Sequence, residues 1–219
     1  MLAPLLLAVA LLIPSPNPLQ PAARFQARVE SIDLVQAATM IPTTYRVGCP
    51  VHLRDLRLLT VQFWGFDGRV RSGQIIVHRH VANDIVGVFR KLHEARFPMR
   101  RIVLEDHYAG VRNASTLANN TSGFECRPVT GGTRWSRHSY GLAIDINPLQ
   151  NPYVYEDGRI TDPRAAQYLD RTQSKPGMIL DGDVVVEAFA AIGWRWGGDF
   201  VQTPDYQHFD LDPARLPRP

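Results

Sequence analysis

The sequence predicts a single α+β domain in which helices pack on an antiparallel sheet. Two runs rich in β-branched and aromatic residues, 57–64 and 70–77, flank the turn-forming segment 65–68, a pattern typical of a β-hairpin. The next segment, 81–97, has apolar residues at helical spacing and ends before Pro98. With 219 residues, the chain is long enough for these elements to enclose one core.

The second half of the chain continues with short elements separated by two long loops. A strand is predicted over 101–104, and a helix is predicted to begin at Asp183 and to end at Gly193. Segments 105–135 and 149–182 lack periodicity and are rich in Gly, Asn and Pro. Because long irregular segments inside a domain are usually functional, we expect 105–135 to serve a site and 149–182 to form one wall of a cleft.

The N-terminal apolar run, residues 2–13, is too short to span a bilayer and is typical of the core of a signal peptide. A buried first helix is the alternative interpretation, since no Lys or Arg precedes the run. We expect a signal peptide over 1–23, a linker with one short helix over 24–44 and the folded domain over 45–219. This organisation predicts a secreted protein with no stable insertion into the membrane.

The charge pattern argues against nucleic acid as a partner. The formal charge is +3 and the pI is near 9.1, which is only mildly basic. Lys91 and Lys175 are the only lysines, and the arginines are scattered along the chain. A nucleic-acid binder would instead show a basic stripe interleaved with aromatic residues, so we expect no nucleic-acid partner.

The chain has two cysteines, Cys49 and Cys126. An exported protein with an even number of cysteines is compatible with a disulfide framework. Two buried thiols are the alternative. The expectation of export favours a Cys49–Cys126 bridge.

The segment around Gly141 contains the first candidate metal ligands. Asp145 lies in an apolar run, where an ionised carboxylate needs a cation or hydrogen-bond donors. His138 is seven residues earlier, so the two side chains can meet only if the chain turns between them, and Gly141 permits that turn. His208 lies in a second strand-like segment near the C-terminus.

Together, these residues form a predicted His2Asp metal site: His138, Asp145 and His208. Three protein ligands with one open position are typical of catalytic zinc, whereas structural zinc sites usually close with four. Imidazole ligands argue against calcium or magnesium. We therefore expect one Zn²⁺ per chain.

The two segments resemble a known family. The first reads Ser136-x-His138-x-x-Gly141-x-Ala143-x-Asp145, and the second places Asp205 three residues before His208. This pair of motifs resembles the zinc D-alanyl-D-alanine carboxypeptidases and the related L-alanyl-D-glutamate endopeptidases of bacterial cell walls and phage lysins. The stretch 194–199, Trp-x-Trp-Gly-Gly-Asp, is similar to the endopeptidase branch. The resemblance covers roughly residues 45–211.

The resemblance implies a fold of the hedgehog/DD-peptidase type, with the ligands on the later strands of an antiparallel sheet. It implies that Asp205 is the general base and that an arginine near the metal holds the substrate carbonyl or carboxylate. Arg127, next to Cys126, is the first candidate for that arginine, and Arg112 is its rival. The implied partner is the peptide of peptidoglycan, in the cell wall or the periplasmic space, and we expect the protein to act as a monomer.

Three other functions fit the residues less well. A serine hydrolase using Ser136 or Ser139 with His138 would lack a nucleophile elbow of the Gly-x-Ser-x-Gly kind. A non-catalytic zinc-containing module that binds the cell wall would have no use for Asp205. A structural metal site would require a fourth ligand, and no cysteine lies beside the motifs.

Overall fold

The computed structural model describes residues 24–41, 43–108, 111 and 113–216. These residues form two three-stranded antiparallel sheets. The signal peptide expected over 1–23 lies outside the described residues. Helices pack beside the sheets, and the predicted α+β class is confirmed. Of the helices that the structure describes, none combines the length and the apolar character needed to cross a bilayer.

The first sheet contains β1 (Ala27–Ser31), β2 (Leu56–Trp64) and β3 (Val70–His78), in that spatial order. Strands β2 and β3 form the predicted hairpin, paired from Leu56 opposite His78 to Trp64 opposite Val70. Buried and less buried residues alternate along β2, because one of its faces covers the core.

The N-terminal segment 24–44, expected to be a linker with one short helix, contains a helix and also a strand. Strand β1 pairs antiparallel with β2, and helix α1 (Leu34–Met40) follows it and buries Met40. Strand β1 is an edge strand whose side chains are mostly exposed, so it shows little of the alternation that marks a half-buried strand. The segment is therefore packed onto the first sheet.

Two helices that contact each other lie between the sheets: one packs on the first sheet and the other on the second. Helix α2 (Ala82–Glu94), within the predicted segment 81–97, buries Ile85, Phe89 and Leu92 and contacts β2. A third helix, α3 (Ala114–Leu117), has only four residues. Helix α4 (Val184–Ala190) is capped by Asp183, whose carboxylate accepts hydrogen bonds from two backbone N–H groups of the first turn. This capping satisfies donors that have no partner within the helix.

The second sheet contains three short strands, β4 (Ala143–Asp145), β5 (Arg195–Trp196) and β6 (His208–Asp210), in the order β4-β6-β5. Its register places Asp145 opposite His208. Under the sheet, Phe209 stacks on Phe189 of α4 with the ring centroids 4.1 Å apart. This core fixes the strands that carry the candidate ligands.

Candidate metal centre

His138 lies in a 3-10 helix, Arg137–Tyr140, that begins where the Ser136 hydroxyl accepts a hydrogen bond from the His138 backbone N–H. Gly141 then turns the chain with a positive φ of 66°. A Cβ at Gly141 would lie 2.6 Å from the backbone nitrogen of His78, so only glycine fits this approach. The turn predicted between His138 and Asp145 is present.

The main chain sets the orientation of the His138 ring. Its Nδ1 lies 2.6 Å from the carbonyl oxygen of Gly123, and because a carbonyl oxygen can only accept, Nδ1 donates in this hydrogen bond. Nε2 lies 3.3 Å from Oδ2 of Asp145. His138 therefore presents Nε2 to the site.

His208 presents Nδ1 to the site, whereas His138 presents Nε2. Its Nδ1 lies 2.8 Å from Oδ1 of Asp145, and its Nε2 lies 3.5 Å from Oδ2 of Asp210. The ligand atoms of His138, Asp145 and His208 all lie within 4.8 Å of one another. Two imidazoles and one carboxylate form a donor set that suits zinc, and each imidazole has an oxygen partner on its remote nitrogen. The residues present fit one metal ion.

The three side chains shift one another's proton affinity. Burial alone would raise the pKa of Asp145, but the imidazoles of His138 and His208 hold it well below its usual range. Burial opposes protonation of His208, but the hydrogen bond to Asp145 and the nearby carboxylate of Asp210 raise its pKa to about 10. Without a metal, His208 is therefore a doubly protonated imidazolium at neutral pH. It must release the Nδ1 proton to bind a metal through that nitrogen.

Asp205 lies beside this cluster at the entrance to β6. Its backbone N–H donates to the carbonyl of Gly197 at 2.9 Å. A Cβ at Gly197 would lie 2.5 Å from the Asp205 carbonyl oxygen and 3.1 Å from the Cβ of His208, so the glycine allows the two segments to approach. Gly197, in the stretch 194–199, therefore contributes to the geometry of the site.

The carboxylate of Asp205 has the properties of a proton acceptor. Its Oδ1 is buried and accepts no hydrogen bond within the described part of the chain. Burial raises the pKa of Asp205 to about 6; the charge of His208 opposes this rise and that of Asp145 adds to it. A carboxylate with a pKa near the working pH is suited to general base chemistry.

Cys49 and Cys126 form a disulfide with the Cα atoms 5.9 Å apart, which confirms the predicted bridge. Arg46 donates through Nε to the carbonyl of Cys126 at 2.9 Å. The Ser139 hydroxyl accepts from the backbone N–H of Arg127 and donates to its carbonyl, at 2.9 and 2.7 Å. The backbone at Arg127 is therefore fixed on both sides.

The Arg127 side chain forms an ion pair with Glu125, with Nε 2.6 Å from Oε2. Burial opposes the charge of Arg127, but Glu125 and then Asp145 raise its pKa. Arg127 lines the same cleft as His138 and Asp205, a space of about 1500 Å³. The partner Glu125 was not anticipated from the sequence, and the rival Arg112 lies outside the described residues.

The insert 149–182 borders the cleft next to Asp205. The N–H of Val154 donates to the Pro204 carbonyl at 2.8 Å, and Tyr153 forms an isolated β-bridge with Asp205. Tyr153 and Tyr155 both line the cleft. The expected position of this insert as a cleft wall agrees with these contacts.

The serine alternative gains no support from the geometry. Ser136 caps the 3-10 helix, and the Ser139 hydroxyl binds the backbone of Arg127. In the part of the chain that the structure describes, neither hydroxyl is hydrogen-bonded to the His138 imidazole. Neither serine is therefore placed to pass a proton to that ring.

Together, the fold and the site define a class of protein: an α+β domain with a candidate single-metal centre beside a buried carboxylate, as in metal-dependent hydrolases. Residues 130–211 match the family model described as D-alanyl-D-alanine carboxypeptidase. The matched segment contains all three candidate ligands and Asp205, and it confirms the family resemblance over this part of the chain. At the level of the family, the match supports a peptidase related to peptidoglycan.

No curated protein and no solved structure matches the chain. The likeness to the hedgehog/DD-peptidase fold therefore stays a prediction.

Proposed function

We propose that this protein is a zinc-dependent peptidase that hydrolyses the peptide stems of bacterial peptidoglycan. One observation carries the proposal: the donor atoms of His138, Asp145 and His208 converge within 4.8 Å, beside a carboxylate oxygen of Asp205 that has no hydrogen-bond partner among the described residues. The family match over residues 130–211 supports a peptidase rather than another metal-dependent hydrolase.

In this proposal, one zinc ion is held by Nε2 of His138, a carboxylate oxygen of Asp145 and Nδ1 of His208. Bound zinc acts as a Lewis acid that polarises the scissile carbonyl and lowers the pKa of a water molecule to roughly 7. Asp145 contributes the negative charge of the ligand set, and the neutral imidazoles of the two histidines complete it.

Asp205 is the general base in this proposal. With a pKa of about 6, it is mostly ionised at neutral pH and accepts a proton from the attacking water. The protonated carboxyl then donates that proton to the amine that leaves when the peptide bond breaks. Oδ1 has no hydrogen-bond partner among the described residues, so no bond within that part of the protein competes for this carboxylate oxygen.

Arg127 is the substrate-binding arginine in this proposal. Its guanidinium can donate to the oxygen on which negative charge develops, or to a carboxylate of the substrate. The ion pair with Glu125 uses Nε, so most of the donors of the guanidinium fork remain for the substrate. The disulfide at Cys126 keeps this side chain beside the cleft.

Two bonds of the peptide stem are candidates for cleavage. Release of terminal D-alanine would make the protein a D,D-carboxypeptidase, and cleavage between L-alanine and D-glutamate would make it an endopeptidase. The similarity of the stretch 194–199 to the endopeptidase branch favours the second activity. We propose that the protein acts as a monomer outside the cytoplasm, in the cell wall or the periplasmic space.

Mass spectrometry of a muropeptide mixture digested by the zinc-loaded protein tests this function. We expect products that differ from their parents by loss of D-alanine or by scission after L-alanine, and at least about 100-fold slower formation of these products with Asp205→Asn. Zinc bound at one per chain with no hydrolysis of any muropeptide would instead identify the non-catalytic wall-binding module.

A further inference from the structure

Asp210, the third residue of β6, lies beside the proposed ligand His208, near the ring nitrogen that faces away from the metal site. His208 and Asp210 are two residues apart on one strand, so their side chains point to the same face of the sheet. Arg195 on β5 is the direct cross-strand partner of Asp210. Strand geometry alone thus places the arginine, the aspartate and the histidine in a row.

The contacts along this row are specific. Arg195 donates from Nε to Oδ1 and from Nη2 to Oδ2 of Asp210, both at 2.9 Å. Oδ2 of Asp210 is also the oxygen that lies 3.5 Å from Nε2 of His208. Asp210 is buried, with 4% of its surface exposed, so its charge needs these partners.

We propose that Asp210 and Arg195 are positioning residues that hold His208 with Nδ1 toward the metal. This inference rests on the proposed function, because it takes His208 to be a ligand. A carboxylate beside Nε2 keeps the ring proton on that nitrogen and leaves Nδ1 as the electron-pair donor. The bidentate contact of Arg195 fixes the plane of the carboxylate and therefore the direction in which it accepts.

The two histidines differ in what holds them. The remote nitrogen of His138 is held by a main-chain carbonyl, that of Gly123. The remote nitrogen of His208 instead faces the side-chain carboxylate of Asp210 at 3.5 Å, and Arg195 binds that carboxylate. The orientation of His208 can therefore be altered by substitution without changing any ligand.

The test is the dissociation constant for zinc, measured by competition with a chromophoric chelator, for the wild type and three variants. We expect Asp210→Asn to weaken zinc binding by about 10- to 100-fold, the usual effect of removing the partner of a ligating histidine. Arg195→Gln should weaken it by less, because the Arg195 side chain is 61% exposed and its ion pair is partly screened. The double variant should bind no more weakly than Asp210→Asn alone, because Arg195 acts through Asp210.

A matched control lies elsewhere in the chain. Arg164 and Asp162 form a similar ion pair, with side chains 62% and 5% exposed against 61% and 6% for Arg195 and Asp210. Asp162→Asn removes a buried carboxylate of the same kind that has no contact with a candidate ligand. It should lower the thermal stability of the protein and leave the zinc dissociation constant at the wild-type value.

Three results would overturn the positioning role: wild-type zinc affinity in Asp210→Asn, an equal loss in Asp162→Asn, or losses that add in the double variant. If Asp210→Asn does not fold, Arg195→Gln is the deciding variant, because wild-type zinc affinity in Arg195→Gln would exclude the positioning role. Hydrolysis does not enter this measurement. A protein that binds zinc but cleaves no muropeptide would overturn the proposed activity, while the zinc constants would still decide the positioning role.

Discussion

Asp145 and His208 are direct partners across β4 and β6, and their side chains meet with Nδ1 2.8 Å from Oδ1. The strand register that forms the second sheet is therefore also what brings two candidate ligands together. A slip of one residue in this pairing would move His208 to the opposite face of the sheet.

The first prediction concerns the ligands. His138→Ala and His208→Ala should each remove most of the bound zinc and all hydrolysis, because two ligands hold a zinc ion far less tightly than three. The measurement is zinc content per chain after dialysis, with His93→Ala as a control for a buried histidine outside the site. Full retention of zinc in either ligand variant would remove that residue from the set.

The second prediction separates the two carboxylates of the site. Asp145→Asn should weaken zinc binding, because it removes the negative ligand. Asp205→Asn should keep zinc and the fold and should lower the hydrolysis rate by at least about 100-fold, the scale of a lost general base. Zinc content and rate are measured side by side. Loss of zinc from Asp205→Asn, with retention in Asp145→Asn, would show that the roles are reversed.

The third prediction concerns the acidic limb of the activity. The pKa of Asp205 is raised to about 6, so the carboxylate is mostly ionised above pH 7 and mostly protonated below pH 5. As a base it works only when ionised, so the rate should fall as the pH drops through about 6. The profile of kcat/KM against pH checks this. A rate that stays constant down to pH 4.5 would mean that the pKa of Asp205 is not raised in the zinc-loaded protein.

The fourth prediction concerns protons displaced by the metal. Because the pKa of His208 is raised to about 10, its imidazole is protonated at pH 7 in the absence of zinc. Zinc binding through Nδ1 should therefore release about one proton per chain at pH 7. Calorimetry in buffers of different ionisation enthalpy measures this number. Binding without proton release would mean that His208 is already neutral in the metal-free protein.

The fifth prediction concerns the disulfide. Cys49 and Cys126 are 77 residues apart, and a bridge over such a loop contributes up to about 4–5 kcal/mol in the chain-entropy model. Thiol titration of the unreduced, denatured protein should find no free thiol. Cys49→Ser with Cys126→Ser should lower the melting temperature and raise KM, because the backbone at Arg127 loses an anchor, while zinc stays bound. Two titratable thiols in the wild type would refute the bridge.

The candidate site could be proposed from the sequence because its residues form two recognisable motifs. His138, Asp145 and His208 were proposed from their residue types and positions, and Asp205 from the family resemblance; the structure brings the three candidate ligands together beside Asp205. The hairpin β2–β3 and the helices α2 and α4 were predicted from periodicity and capping. These features depend on residues close together in the chain, where local rules apply.

The partners of these residues were not predicted, for physical reasons. The Gly123 carbonyl that holds His138 is main chain, which every residue has, so no side chain marks it. Asp210 could have been suspected, because it shares a strand face with His208, but Arg195 required the register of β5. The strand predicted over 101–104 is reduced to an isolated bridge between Ile102 and Thr121, since backbone pairing there depends on distant segments.

The distance along the chain between the two paired ligands has a kinetic consequence. Asp145 and His208 are 63 residues apart, so their contact forms only after the intervening chain has been closed into a loop. Contacts of long sequence separation form late and slow the folding of a domain. A chain that has formed only its N-terminal hairpin cannot yet hold zinc with three ligands. Zinc uptake during refolding should therefore report the completion of folding rather than its beginning.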